Sequence, residues 1–390
     1  SFGVRSIFGG VVQPISDDLF AGSIDVFSLS IALQNLIWGL AQPAFGMVAD
    51  KYGDRRALWL GFCCYVLGMS VTILGTSAFS QHLGAGVLVG MGISGTAFGV
   101  VLAAVGRAAP EEKRPFYLGV TSALGSTGQA VLPLVVAWLI TWLDWRLTLA
   151  AVTGILACMA LCIPMLTKNT CTVASANNTL DITTTVQRAF RYPSYVLLCF
   201  GFFVCGFHLA FITAHLPNFV QNFCVSPASA TELRALGLQA LALAGLANIG
   251  GTLAAAWIGD RVPKPFVLSM IYALRACIIL AFIALPVTPT SVMVFALLMG
   301  VLWLSTVPLT SALALVMFGP RAMGTLFGFV FLSHQLGSFV GVWLGGLMFS
   351  RYASYDHMWY LAIALAILSS VAHLLVEERE APPDYCAERS

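Results

Sequence analysis

Charge is what this sequence has least of. Only 9% of its 390 residues are Asp, Glu, Lys or Arg, while 59% are hydrophobic, whereas an ordinary soluble domain carries roughly 25% charged residues. A water-soluble fold of this length cannot hide so much apolar surface. A bilayer accepts it, provided the backbone polar groups are satisfied inside helices. Net charge is +2 and no basic block occurs, which excludes nucleic acid as a partner. The ten cysteines contain no C-x-x-C and no spacing suited to metal, so they read as small packing residues and no metal or cofactor is expected. A signal peptide is lacking too. The chain opens inside an apolar stretch, Ser1 to Leu19, that carries Arg5 and has neither a basic lead nor a small-residue cleavage site. A spanning helix needs about 20 residues, so the first span is expected to lack its beginning.

What is present is a series of apolar runs separated by charged or Pro/Gly punctuation. They predict an all-α membrane protein with spans near 1–19, 24–49, 56–76, 82–106, 114–142, 145–167, 194–221, 232–257, 264–286, 290–317, 322–349 and 355–376. The only long polar break, 168–193, divides the chain into two six-helix bundles, 1–167 and 194–376, followed by a tail, 377–390. Lysine and arginine are distributed unevenly. Even-numbered gaps carry twelve of them and odd-numbered gaps only Arg146, Arg234 and Arg351, so the positive-inside rule places both termini in the cytoplasm. The sequon Asn177-Asn178-Thr179 falls on that inner side and is discounted. Comparing the chain with itself at an offset near 210 aligns Leu88-Val89-Gly90 with Leu298-Met299-Gly300, Thr96 with Thr306 and Asp50 with Asp260; at 209, Gly119 meets Gly328 and Gly128 meets Gly337. The shared offset points to duplicated parallel halves, a common construction in transporters.

Between the second and third spans lies Gly46-Met-Val-Ala-Asp50-Lys51-Tyr-Gly53-Asp54-Arg55-Arg56. A basic cytoplasmic turn explains the arginines but not the Gly46-to-Asp50 spacing, which sets a helix-packing glycine one turn from a carboxylate. The loop resembles the signature G-x-x-x-D-[RK]-x-G-x-[RK]-[RK] of the major facilitator superfamily, with every fixed position filled. The resemblance implies the major facilitator fold, with twelve helices in two pseudo-symmetric six-helix bundles. It also implies that Asp50 sits against the start of helix eleven, here near Ala322, where the helix dipole favours an anion, so that it latches the two halves on the cytoplasmic side. Gly46, Arg55 and Arg56 belong to the same gate. The second-half copy, Ala256-Trp-Ile-Gly-Asp260-Arg261, keeps the acid and base but has Ala for the first glycine, so it reads as a degenerate latch. Gly119, Gly125, Gly128 and Pro133 on span five let helices approach closely and say nothing of the direction of transport.

All seventeen acids fall at span ends, in loops or in the tail, whereas Arg5, His208, His215, Arg275 and His334 fall at mid-membrane. A charge there costs several kcal/mol unless it faces a cavity or a partner. Arg5 has no carboxylate at its depth, so the missing counter-ion is read as the substrate, with snorkelling to the outer surface as the bland alternative. Arg275, on the peripheral span nine, is read first as a structural donor to carbonyls. His208 and His215 are two helical turns apart and share one face of span seven. His334-Gln335 and Gln34-Asn35 lie at matching depth, and Gln129 and Asn248 are further polar candidates. Each is as readily a helix-to-helix hydrogen bond as a cargo contact. Trp38, Phe98, Trp303 and Phe331 are candidate apolar walls.

The first span, Phe2-Gly-Val-Arg5-Ser-Ile-Phe-Gly-Gly-Val-Val-Gln-Pro-Ile15, resembles that of monocarboxylate transporters, and the whole chain is similar to the related oxalate/formate-type exchangers. The resemblance implies that Arg5 faces the substrate. On span eight, where monocarboxylate carriers place an Asp and an Arg, this chain has Asn248 and Thr252. A coupled proton, if there is one, therefore falls to His208, His215 or His334, whose type titrates near working pH. The expectation is a monomeric secondary transporter in the cell membrane, moving a small organic anion by alternating access, by symport or antiport. An exporter of a larger amphipathic compound or drug is the alternative. No catalytic residue is expected, because no paired carboxylates, metal cluster or activated nucleophile share one depth.

Overall fold

The computed structural model describes residues 3–4, 7–21, 25–166 and 182–382. Arg5, the first part of the predicted linker and the end of the tail lie outside the described residues, as does the side chain of Gln129. Among the described residues no strand occurs and helices dominate. The longer ones are α1 (Phe8–Leu19), α2 (Asp25–Tyr52), α3 (Asp54–Leu74), α4 (Ala78–Ala108), α5 (Arg114–Leu139), α6 (Trp145–Ala160), α7 (Ile182–Arg191), α8 (Pro193–Phe223), α9 (Ala230–Gly259), α10 (Lys264–Ala284), α11 (Pro289–Phe318), α12 (Met323–Tyr352) and α13 (Asp356–Leu374). Apart from the short α7, each coincides with one predicted span. Eight of them are long and apolar enough to cross a membrane: α3, α4 and α8 to α13.

Local chemistry explains the boundaries. Pro193 opens α8 and Pro289 opens α11, where a missing N–H costs nothing. Reciprocal caps start α4 (Ser77 with Ser80), α9 (Ser229 with Glu232) and α11 (Thr288 with Ser291). Gly53 separates α2 from α3 with φ +92°, a conformation in which a side chain would be strained.

The chain forms two compact units. Unit 1 comprises 1–109, 124–186 and 318–332; unit 2 comprises 110–123, 187–317 and 333–390. In unit 1, α4 packs against α2 and α3, and α3 against α6; a core of Phe45, Ala49, Ala57, Leu58 and Val100 fills the space at the α2–α3 turn. In unit 2, α10 packs on α13, α9 on α11, and α8 on α9 and α13. Its core is aromatic: Phe211, Phe219, Phe282 and Phe295 surround Trp359, with the Phe282 and Phe295 rings stacked at 4.1 Å.

Both units contain an interrupted helix. In unit 1, α4 breaks at Ala97 after a π-helical stretch, His82–Leu88. Gln42 of α2 donates to the Ser94 carbonyl there at 3.0 Å, and Ser94 donates to the Trp38 carbonyl at 2.9 Å. In unit 2, α11 breaks after Leu302 and resumes at Thr306. The freed Leu304 N–H donates to Asn248 Oδ1 of α9 at 2.8 Å, while Arg275 Nη2 of α10 donates to the carbonyls of Leu302 and Trp303, each at 2.6 Å. Buried backbone groups must find partners, and here side chains from neighbouring helices supply them.

Candidate functional site

A densely bonded polar cluster in unit 1 lies where α2 ends. Gly46 faces Gly324 so closely that a Cβ on Gly46 would lie 2.1 Å from the Gly324 oxygen. One turn on, Asp50 accepts the N–H of Gly324 at 2.9 Å and of Thr325 at 2.6 Å. These are two of the four N–H groups that the start of α12 leaves without an intrahelical acceptor, and the dipole at that end favours the carboxylate. Arg107 Nη1 donates to Asp50 Oδ1 and to the Pro320 carbonyl, each at 3.0 Å. Its Nε donates to Asp54 Oδ2 at 3.2 Å and its Nη2 to Asp54 Oδ1. All three charged side chains are buried. Arg107 and Asp54 had no place in the expected gate. Their signal in the sequence is faint, since Arg107 counts there only as one inner-side cation and Asp54 as a loop acid. Arg55 and Arg56 are exposed.

The second-half copy is built differently. Ala256 meets Gly119 of α5, where a Cβ would lie 2.3 Å from that of Ala256. Asp260 is exposed, and its carboxylate accepts no hydrogen bond among the described residues. Partial burial raises its pKa, against the pull of Lys264 and Arg261. Arg261 lies 4.0 Å over the Trp257 ring and donates to the Trp257 carbonyl at 2.8 Å. Lys264 is held by Glu378, which accepts from both its side chain and its backbone N–H.

The candidate substrate residues divide between the units. In unit 1, Gln34 is buried and donates to the Ala85 carbonyl at 2.8 Å, and Asn35 donates to Ile31 at 2.9 Å. Trp38 and Phe98 both pack on Phe331, with ring centroids 4.7 and 6.4 Å away. In unit 2, His208 is fully buried and its Nε2 lies 2.9 Å from the Ala362 carbonyl. His215 is half-buried and bridges the Tyr355 hydroxyl (3.1 Å) and the Val342 carbonyl (3.0 Å). His334 packs on Phe202 with centroids 5.0 Å apart and contacts Gln335 Oε1 at 3.2 Å. Trp303 stands at the break in α11. The two histidines on one face of α8 thus meet different neighbours. Arg275 is fully buried, with its Nη2 spent on carbonyls.

The Major Facilitator Superfamily profile matches residues 1–342. The chain belongs to the major facilitator superfamily. It is therefore a multi-pass membrane transporter and not an enzyme. Over 388 residues it is 24% identical to the Uncharacterized MFS-type transporter YcxA of Bacillus subtilis (strain 168), covering 95% of this chain and 90% of that one. Over 354 residues it is 25% identical to Monocarboxylate transporter 13 of Bos taurus, covering 88% and 78%. Its fold matches that of the E. coli fucose:proton symporter FucP with a TM-score of 0.76 at 12% identity over 96% of each chain. It also matches the proton:xylose symporter XylE with a TM-score of 0.69 at 13% identity, over 96% and 93%. The architecture is that of the superfamily, whose fold has twelve helices.

Proposed function

We propose that this transporter carries a small organic anion of the monocarboxylate class by alternating access, with Arg5 pairing with the substrate carboxylate. The reading rests on sign: histidines and arginines stand in the middle of the spans, while the acids stand at span ends and in loops. An arginine's planar fork matches a carboxylate bidentately, and a buried cation without a protein acid draws an anion. The similarity to a monocarboxylate transporter over most of the chain supports the same class. The cluster of Gly46, Asp50, Asp54 and Arg107 is the latch that closes one face of the transport cycle, and both chain ends lie on the cytoplasmic side.

The test is uptake by proteoliposomes of labelled carboxylates, neutral sugars and organic cations, with and without a pH gradient. Saturable carboxylate uptake is the expected result. Uptake of sugars or cations without carboxylates overturns the reading.

A further inference from the structure

Within unit 1, α2 and the inner half of α12 meet along a ladder of three rungs. At the first, Gly46 faces the backbone of Gly324; at the second, a Cβ on Gly328 would lie 2.8 Å from Pro43 Cα; at the third, the rings of Trp38 and Phe331 stand 4.7 Å apart. Small residues let the two backbones touch. Two rings fit only where the backbones part, so the third rung marks where α2 and α12 begin to diverge. Phe98, the first residue of α4 after its break, completes the group with its ring 6.4 Å from that of Phe331. Trp38, Phe331 and Phe98 are 3%, 2% and 6% exposed. Trp38 is fixed from behind. Its indole N–H donates to Gln42 Oε1 at 3.2 Å, Gln42 Nε2 donates to the Ser94 carbonyl at 3.0 Å, and the Ser94 hydroxyl donates back to the Trp38 carbonyl at 2.9 Å. At 1.5 Å of rise per residue, Trp38 stands about 18 Å from Asp50 along α2, and Phe331 about 9 Å beyond Thr325 along α12.

Phe331 is also where α12 changes company. Its residues up to Leu332 belong to unit 1 and those from Ser333 onward to unit 2, where Ser333 donates to the Cys199 carbonyl at 2.8 Å and Gly337 lies against the Phe203 backbone. One continuous helix is thus shared by two units. Alternating access rocks two bundles around a central site, so the contacts between the inner half of α12 and α2 have to break whenever the inner face opens. Ordinary core contacts inside a unit do not. We propose that Trp38, Phe98 and Phe331 are gating residues that seal the transport path against water on its inner side, while the Asp50 cluster supplies the hold. Their role rests on the reading of that cluster as a cytoplasmic latch and is independent of the cargo. The two layers divide the work by chemistry. Carboxylates and a guanidinium hold helix ends together, but a polar layer also welcomes water. A hydrophobic constriction stays dry, because its walls offer water no replacement for the hydrogen bonds it gives up, and broad rigid rings build such a wall from few residues. When Asp50 releases the start of α12, Phe331 leaves with that helix and Trp38 stays behind, held by Gln42.

The proton itself is the probe. Proteoliposomes loaded with a pH-sensitive dye are given a potassium diffusion potential, with no substrate present. A path closed at its inner face is open on the other side, so losing the seal leaves continuous water. Phe331→Ala should raise the proton leak about tenfold over the wild type, and Phe331→Leu, which keeps most of the apolar volume, should stay within about twofold. No added leak in Phe331→Ala overturns the seal; so does an equal leak in Phe331→Leu, which marks a general loosening of the protein. Iodide quenching of Trp38, read as the difference between each protein and the same protein carrying Trp38→Phe, separates the two layers. Trp38 should be shielded in the wild type and open to iodide in Phe331→Ala, and a wild-type Trp38 open to iodide overturns the seal as well. Asp50→Ala should also expose Trp38. If Trp38 stays shielded in that variant, the latch reading fails, while the leak of Phe331→Ala still decides the seal.

Discussion

At the scale of single residues, Asp50 concentrates the most consequences. Its two oxygens serve the start of α12 and Arg107 together, so no neutral side chain replaces it without leaving a donor unpaired. Removing one partner of a buried ion pair costs about 3–5 kcal/mol. Asp50→Ala should therefore lower the melting temperature in detergent and reduce the initial uptake rate at least tenfold, and an unchanged melting temperature would remove the structural part of this account. Asp54→Asn should be milder, because Arg107 keeps its bonds to Asp50 and Pro320; thermal unfolding of the two variants side by side gives the ranking. Asp50 can be singled out in the sequence because the motif spacing marks it. Arg107 cannot, because nothing along the chain ties it to residues more than fifty positions away. Arg275 is similar: its type and depth are legible, but the carbonyls it serves exist only because α11 breaks.

At the scale of elements, small residues decide which helices touch. The space beside Gly46 is filled by backbone of Gly324, whereas nothing lies within 4 Å of a Cβ built on Gly154 of α6. Gly46→Ala should force α2 away from α12 and lower thermal stability. Gly154→Ala should be neutral or stabilising by about 0.5–1 kcal/mol, since it only removes backbone freedom from a helix interior. Finding the two equivalent would refute the close-approach argument. Helix ends titrate as well. At the start of α9, the Ser229 N–H and hydroxyl bond to Glu232 and lower its pKa. A carboxyl whose pKa is lowered in the folded state stabilises the fold above its unfolded value, and loses that contribution as pH falls through the folded one. The stability gap between wild type and Glu232→Gln should accordingly be present at neutral pH and shrink below the ordinary glutamate range, as read by thermal melts across pH. Helix positions are legible in the sequence, because length and hydropathy dictate them. The breaks in α4 and α11 are not: the residues at Ala97 and Trp303–Ser305 are ordinary helix residues, and the partners that accept a broken ladder, Gln42, Asn248 and Arg275, sit on other helices.

At the scale of the whole molecule, the transport reading makes Arg5 its most exposed claim. Arg5→Gln should weaken carboxylate binding at least tenfold while the protein keeps its elution volume and melting temperature, as checked by equilibrium binding of a labelled carboxylate; unchanged affinity assigns Arg5 to the membrane surface instead. The sequence by itself determined that this chain lives in a bilayer, how many spans it has, where they lie and which superfamily it joins. These follow from composition, run length and one loop motif, and each is a property of neighbouring residues along the chain. Only the tertiary structure decided which polar groups share a neighbourhood. It brought Arg107 and Asp54 to Asp50, and it set Arg275 and Thr306 beside the sulfur of Cys205. The reason is that a helix interior satisfies its own backbone and advertises nothing. Where a helix begins or breaks, the freed N–H and carbonyl groups recruit side chains from whichever helix lies alongside, and packing alone settles which helix that is.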